Sequence, residues 1–302
     1  MTAPAALTGL SAFPLTPIRD GSLDEAAFDG LIDRLVAAGV DSIAPLGSTG
    51  VGPYLSVGTR AFVARAAVER AQGIPVIVGI GALNQRDVLA NASAAEEAGA
   101  SALLLAPVSY HPLTADEVVE LFRAVTSATD LPVIVYDNPG TTHFTFTTEL
   151  YGRLSELDGV AAIKIPGLPL SAGEWTQRVS GIRAATAEGT AIGVSVDAYG
   201  AEGLIAGCDA WYTAIGGTLP EPMLAITRAA QSGDPYLARE LASELQPLWD
   251  LFAAHGGSLR VGAAIAEHLG LVTGDSLPAP LRGLDAEAKR TVAEVVDALD
   301  LR

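Results

Sequence analysis

The chain has 302 residues, 49% of them hydrophobic and 18% charged, and a formal net charge of −17, with an isoelectric point near 4.5. That apolar content excludes a disordered chain. A surface so acidic excludes a protein that works by coating nucleic acid or anionic membrane. A single cysteine, Cys208, excludes an intrachain disulfide and fits a reducing compartment. No apolar run approaches the ~18 residues that span a bilayer. The start, "MTAPAALTGLSAFPLTP", lacks a basic segment followed by an apolar one. A cytoplasmic protein is expected.

Short apolar segments recur along the chain: "LTGLSAFPL" (7–15), "SIAPLG" (42–47), "PVIVGIG" (75–81), "SALLLAPV" (101–108), "PVIVYDNP" (132–139), "VAAIKIP" (160–166), "TAIGVSV" (190–196) and "AWYTAIG" (210–216). Each is aliphatic or β-branched and apolar on both faces, the pattern of a parallel sheet covered on both sides. Helical stretches separate them. In "DEAAFDGLIDRLVAAG" the residues Phe28, Leu31, Ile32, Leu35 and Val36 fall at helical spacing, and Gly39 stops the run. "TRAFVARAAVERAQG" and "NQRDVLANASAAEEAG" end on Gly73 and Gly99, and Thr114 with Glu117 has the spacing of a capping box.

Eight such strands alternating with helices, one roughly every 30 residues, predict a (β/α)8 barrel. A doubly wound sheet would show a phosphate loop after its first strand, and "FPLTPIRDGSLD" is not one. Helical segments expected at about 220–231, 235–254, 258–269 and 285–299 follow the last strand. The predicted organisation is a barrel over 1–219 and a helical C-terminal region over 220–302 packed on it.

In a barrel, chemistry gathers at the C-terminal ends of the strands, and four candidates fall there. Lys164 sits near the end of the sixth strand, among the uncharged residues Ala161, Ala162, Ile163, Ile165 and Pro166. A lysine held inside a barrel is driven neutral by desolvation, and a neutral amine can form a Schiff base with a carbonyl. Tyr136, at the end of the neighbouring fifth strand, can move the protons such chemistry requires. After the second strand, Gly47 and Gly50 bracket Ser48 and Thr49 in "LGSTGVGPYLS". That loop can turn N–H groups onto a carboxylate and relay protons through its hydroxyls. Dinucleotide and Walker-type loops are absent, and "GVSVD" is one glycine short of a nucleophile elbow. The four histidines have no metal-ligand spacing, although His111 and His143 follow strands four and five and keep a metal-dependent aldolase as a minor alternative.

Taken together, "GSTGVGPYLS", "VIVYDNPGTT", "VAAIKIPG" and "LRVGAAIAEHLGL…LPAPLRGL" resemble the motifs of the dihydrodipicolinate synthase and N-acetylneuraminate lyase family of class I aldolases. The resemblance covers nearly the whole chain. It implies a barrel with a helical C-terminal region, a homotetramer or homodimer, and no metal or organic cofactor. It also implies that Lys164 forms an imine with pyruvate or another 2-oxo acid, that Tyr136 is the general acid/base, and that Ser48 relays protons to it. The Ser48–Thr49 segment would hold the substrate carboxylate. Ser109, Tyr110, Thr141, Ser195 and Trp211 are expected to select the rest of the substrate. This sequence departs from the synthase pattern in four places. Thr141 stands where the synthase has a carboxylate-gripping arginine, and a threonine cannot make that contact. Ser109 stands at the position of a tyrosine lent by a neighbouring subunit, with Tyr110 shifted by one. Val51 replaces a glutamate, and Ile165 a frequent acid. The wording "TGVGPYLS" leans toward members acting on 2-keto-3-deoxy sugar acids, by cleavage or dehydration. The synthase reaction of pyruvate with aspartate semialdehyde is the first alternative, and a non-catalytic 2-oxo acid binder the second.

Overall fold

The structure is a computed structural model, and it describes residues 7–302. The first six residues of the expected barrel region, and with them the start of the N-terminal segment, lie outside the described residues. Eight parallel strands form the central sheet: β1 (Gly9–Ala12), β2 (Ser42–Ile43), β3 (Ile77–Gly79), β4 (Ala102–Leu105), β5 (Val133–Tyr136), β6 (Val160–Ile165), β7 (Ala191–Val194) and β8 (Ala210–Thr213). Each lies within one of the eight apolar segments. Their order is β2-β1-β8-β7-β6-β5-β4-β3. A parallel bridge between Ile43 and Val76 joins the two ends, so the sheet closes into a barrel. Among the described residues, thirteen α-helices accompany it: α1 (Glu25–Ala38), α2 (Val57–Arg70), α3 (Gln85–Glu97), α4 (Ala115–Thr126), α5 (Pro139–Thr142), α6 (Thr148–Ser155), α7 (Ala172–Ala185), α8 (Gly200–Ile205), α9 (Pro220–Gln231), α10 (Pro235–Glu244), α11 (Gln246–Ala254), α12 (Ser258–His268) and α13 (Ala286–Ala298).

Local chemistry sets the ends of these helices. Gly39 closes α1 in the left-handed conformation, with φ 71°, which glycine adopts without a Cβ penalty. Both halves of the Thr114–Glu117 capping box are formed. The single helix expected at 235–254 is two helices that meet at Leu245. Pro247 explains the break, because it has no N–H for the ladder and its ring crowds the carbonyl four residues back.

Side chains alternate between two cores. One set, including Leu10, Ile163, Ile165, Val194 and Trp211, packs outward against the helices. The other, including Phe13, Leu104, Ile134, Tyr136, Ala162 and Tyr212, fills the barrel. Strand β6 breaks strict alternation. Val133 pairs with Val160, but Ile134 pairs with Ala162, so one residue is bulged. Val160 and Ile163 therefore both face outward. The extra residue shifts the phase so that Lys164 turns inward.

The C-terminal region braces the mouth of the barrel. Leu15, Leu31 and Val51 share an apolar cluster with Ala263, Ala266, Val272 and Leu277. Val51 has φ 46°, a conformation a β-branched residue adopts only under constraint. Its side chain is 1% exposed, and burial in this cluster holds the strained turn in place.

Candidate active site

Strand register places the candidate residues at one level of the lumen. Tyr136 on β5 pairs with Lys164 on β6, and Lys164 pairs with Gly193 on β7. A Cβ on Gly193 would come within 2.1 Å of the Tyr212 ring, so glycine there admits the tyrosine from β8. The Lys164 side chain is buried and surrounded by aromatic faces. Its Nζ lies 3.9 Å from the centroid of Phe13, 4.0 Å from that of Tyr136 and 5.6 Å from that of Tyr212.

Burial lowers the Lys164 pKa from 10.5 to about 7, and the carboxylate of Asp197 works in the opposite direction. Desolvation is the larger influence, as the apolar sequence around the lysine implies. At neutral pH a large fraction of the amine is unprotonated. Asp197 is buried beyond the end of β7. It accepts hydrogen bonds from the backbone N–H groups of Ala214, at 3.0 Å, and Ile215, at 3.1 Å. Burial nevertheless pushes its pKa up, with those bonds and Lys164 opposing the shift.

Beside the lysine is a closed ring of three polar groups. The Tyr136 hydroxyl and the Ser48 hydroxyl lie 2.9 Å apart. The Asn138 amide donates to Tyr136 Oη at 2.9 Å and to Ser48 Oγ at 3.2 Å. Burial raises the Tyr136 pKa, and its bonds to Ser48 and Asn138 lower it in part, so Tyr136 carries its proton at neutral pH. The next residue, Asp137, is buried and accepts a hydrogen bond from the Tyr151 hydroxyl. Desolvation brings its pKa up to about 6.

The glycine loop lies against this cluster. A Cβ on Gly47 would meet the Phe13 ring at 2.7 Å, and one on Gly50 would meet the Leu46 nitrogen at 2.6 Å. Both positions therefore need glycine for close approach. Ser48 and Thr49 are half-buried between them, and their backbone N–H groups have no acceptor among the described residues.

The structure gathers Lys164, Tyr136, Ser48 and the loop from Gly47 to Gly50, and treats the other expected residues differently. Thr141 is exposed on α5, its hydroxyl directed at the Asn138 carbonyl 3.4 Å away. The Ser195 hydroxyl donates to the Ile165 carbonyl at 3.0 Å, so its hydrogen is already committed. Ser109 donates to the His111 carbonyl at 2.6 Å. Tyr110 is 88% exposed, its ring against His111. Within this chain it does not join the lysine cluster, because the loop after β4 carries it outward. The expectation for Trp211 is corrected outright. Trp211 is fully buried in the outer core, tight enough against α8 that a Cβ on Gly200 would overlap its ring at 2.1 Å. Its neighbour Tyr212 is the β8 residue that reaches the lumen. Alternation on β8 decides between the two, and the bulk of Trp211 gave no sign of it.

Phe13, Asn138, Asp197 and Tyr212 belong to the site although the sequence did not single them out. Asn138 stands in an Asn-Pro pair, which reads as a turn. The Asp197 signal, in "GVSVD", is legible only once β7 is known to end beside β6.

The sequence model of the Dihydrodipicolinate synthetase family matches residues 6–299. This chain belongs to the dihydrodipicolinate synthase family. The 4-hydroxy-tetrahydrodipicolinate synthase of Bifidobacterium longum is 30% identical over 273 residues, 90% of this chain and 88% of its own length. The synthase of Bradyrhizobium diazoefficiens is 33% identical over 151 residues, 50% of this chain and only 51% of its own length. Among solved structures, the dihydrodipicolinate synthase of Agrobacterium tumefaciens superposes with a TM-score of 0.93 at 43% identity, covering 98% of this chain and 100% of that one. That of Aquifex aeolicus superposes with a TM-score of 0.89 at 26% identity, over 97% and 98% of the two chains. Members of the dihydrodipicolinate synthase family are class I aldolase-type lyases that work through a lysine imine without a cofactor. Among the described residues, no helix is long and apolar enough to cross a membrane, and no group of three or more histidine, cysteine, aspartate or glutamate side chains could hold a metal.

Proposed function

We propose that the chain is a cytoplasmic Schiff-base lyase of a 2-oxo acid, with a 2-keto-3-deoxy sugar acid as its substrate class. The observation that carries this reading is a buried amine with a pKa of about 7, stacked on the same Tyr136 ring whose hydroxyl bonds Ser48. In the reaction, Lys164 Nζ attacks the C2 carbonyl carbon. The amine gives one hydrogen and Tyr136 its phenolic proton to the carbonyl oxygen, which leaves as water, and a protonated C=N bond forms. Tyr136, now a phenolate, takes the proton of the C4 hydroxyl as the C3–C4 bond breaks, and the bonding electrons move into the protonated imine. An aldehyde departs. The remaining enamine takes a proton at C3, and water hydrolyses the imine to release pyruvate and restore the amine. In the dehydrating variant, the protonated imine loses a C3 proton to become an enamine, whose electrons expel a hydroxyl on the chain; the hydroxyl takes up that proton and leaves as water in place of the aldehyde. Ser48 passes protons to and from Tyr136. The substrate carboxylate is assigned to the N–H groups and hydroxyls of Ser48 and Thr49, in the loop from Gly47 to Gly50.

The uncharged Thr141 favours a hydroxyl-bearing chain over a second carboxylate at the barrel mouth, where Ser109, Ser195 and Tyr110 are the further candidates for selecting it. The condensing synthase is the second reading, favoured by relatives such as the Bifidobacterium longum enzyme. A homotetramer or homodimer is proposed from the family resemblance.

The test is reduction with borohydride in the presence of pyruvate, followed by peptide mass analysis. An adduct on the Lys164 peptide supports the Schiff-base reading. No adduct, with Lys164→Arg still active, overturns it. A panel of 2-keto-3-deoxy acids set against aspartate semialdehyde then separates the two substrate classes.

A further inference from the structure

Asn138 holds the two oxygens of the proton relay with both of its amide hydrogens, one on Tyr136 Oη and one on Ser48 Oγ. Counting hydrogens shows what this does. The two hydroxyls carry two hydrogens, and one lies between them. The other is left to point elsewhere. In one arrangement Ser48 donates to Tyr136 and the phenol hydrogen is available to a substrate oxygen. In the other, Tyr136 donates to Ser48, the phenol oxygen is ready to accept a proton, and the serine hydrogen points away. Turning both hydroxyls interconverts the two, and the amide donates to the same two atoms in both.

We propose that Asn138 is the positioning residue of the relay, a fixed double donor that keeps Tyr136 and Ser48 aligned whichever of them holds the shared hydrogen. The role rests on the Schiff-base reading above. It also depends on features of this chain. Asp137 is engaged elsewhere, by Tyr151, so the bond to Tyr136 and Ser48 falls to Asn138. Backbone geometry fixes the amide. Asn138 directly precedes α5, and its carbonyl accepts from the N–H groups of Thr141 and Thr142, both at 3.0 Å, and from the Thr142 hydroxyl at 3.0 Å. The side chain thus springs from a pinned backbone onto the Tyr136–Ser48 pair.

The test uses pyruvate alone, by following exchange of its methyl protons with deuterated water by NMR. Pyruvate is kept saturating, so that Lys164 is already an imine and the measured rate reports the proton transfers that follow. Asn138→Asp has the same shape but, ionised, can only accept. Both hydroxyls then donate to it, and neither oxygen is free to exchange a proton with substrate. The expected result is an exchange rate lower by about 10²-fold, the usual effect of losing one aimed donor, with the same yield of borohydride-trapped Lys164. A second expectation separates positioning from packing. Protonating the new carboxyl restores one donor, so the variant's rate relative to the unaltered enzyme climbs as the pH falls from about 8 to about 5. Asn138→Ala, with no donor at any pH, slows exchange at least tenfold, with a rate ratio that does not change with pH. Rates within about threefold of the unaltered enzyme overturn the proposal. So does a pH-independent ratio for the aspartate variant, or a parallel loss of trapping and exchange. If the unaltered enzyme itself forms no adduct, the Schiff-base reading falls and takes the role of Asn138 with it, a result distinct from each of the others.

Discussion

Replacing Lys164 with methionine should stabilise the protein while abolishing imine formation, and the stabilisation should depend on pH in one direction. Methionine fills a similar volume without a charge. Lowering a lysine pKa from 10.5 to about 7 corresponds to about 5 kcal/mol of extra cost for holding the ammonium in the folded state. The ring faces of Phe13 and Tyr136, 3.9 and 4.0 Å from Nζ, favour the ammonium, but by only about 2 kcal/mol, so burial prevails. The folded-state pKa lies below the unfolded one. The cost is therefore complete below about pH 7, shrinks as pH rises above it, and vanishes above the pKa of the unfolded chain. Denaturant unfolding at a series of pH values should show Lys164→Met more stable by about 3–5 kcal/mol near pH 6, with the gap closing toward pH 10. A gap that is absent, constant or growing with pH would refute the claim that desolvation neutralises the amine.

Three further outcomes follow from the same geometry. The rate of adduct formation at low pyruvate concentration should rise with pH through about 7 and then level off; a rise continuing to pH 10 would mean that Lys164 titrates as an exposed lysine. Tyr136→Phe should still form the borohydride adduct but lose turnover by about 10²–10⁴-fold, and full turnover would remove Tyr136 from the proton path. Trp211→Ala should cost about 3–5 kcal/mol of stability yet leave adduct formation intact in folded protein, because the indole sits in the outer core; selective loss of substrate affinity at undiminished stability would place the indole in the lumen after all.

What the sequence displays well is whatever repeats. Eight apolar segments at even spacing carry the barrel, because strands covered on both faces must be apolar along their whole length. The same property hides which face each residue takes. Trp211 and Tyr212 are equally at home in "AWYTAIG", and only the register, with Trp211 opposite Leu10 and Tyr212 opposite Ser11, separates the outer core from the lumen. Lys164 shows the problem more sharply. Counted by strict alternation from the outward-facing Val160, it would point outward too. The bulge between the Val133–Val160 and Ile134–Ala162 pairs turns it inward, and no residue type in "VAAIKI" announces a bulge. Its charge was the useful clue, since a lysine amid aliphatic neighbours needs a reason to be there.

The partners of that lysine were hard to find for a different reason. Asp197 is 33 positions away in the chain, and it reaches the amine's surroundings only because β6 and β7 are neighbours in the barrel. The local sequence around Lys164 contains no acid, so it implies a lysine whose pKa falls through burial alone. The fold adds a carboxylate that opposes the fall without overcoming it. The two groups constrain each other. Burial favours the neutral form of each, and their mutual attraction favours the charged pair. The bonds from the Ala214 and Ile215 N–H groups offset part of the cost of the Asp197 charge. Replacing Asp197 with asparagine would remove its pull on the proton, lower the Lys164 pKa further, and move the rise in adduct formation to lower pH. If that rise moved to higher pH instead, the carboxylate could not be acting on the amine through its charge.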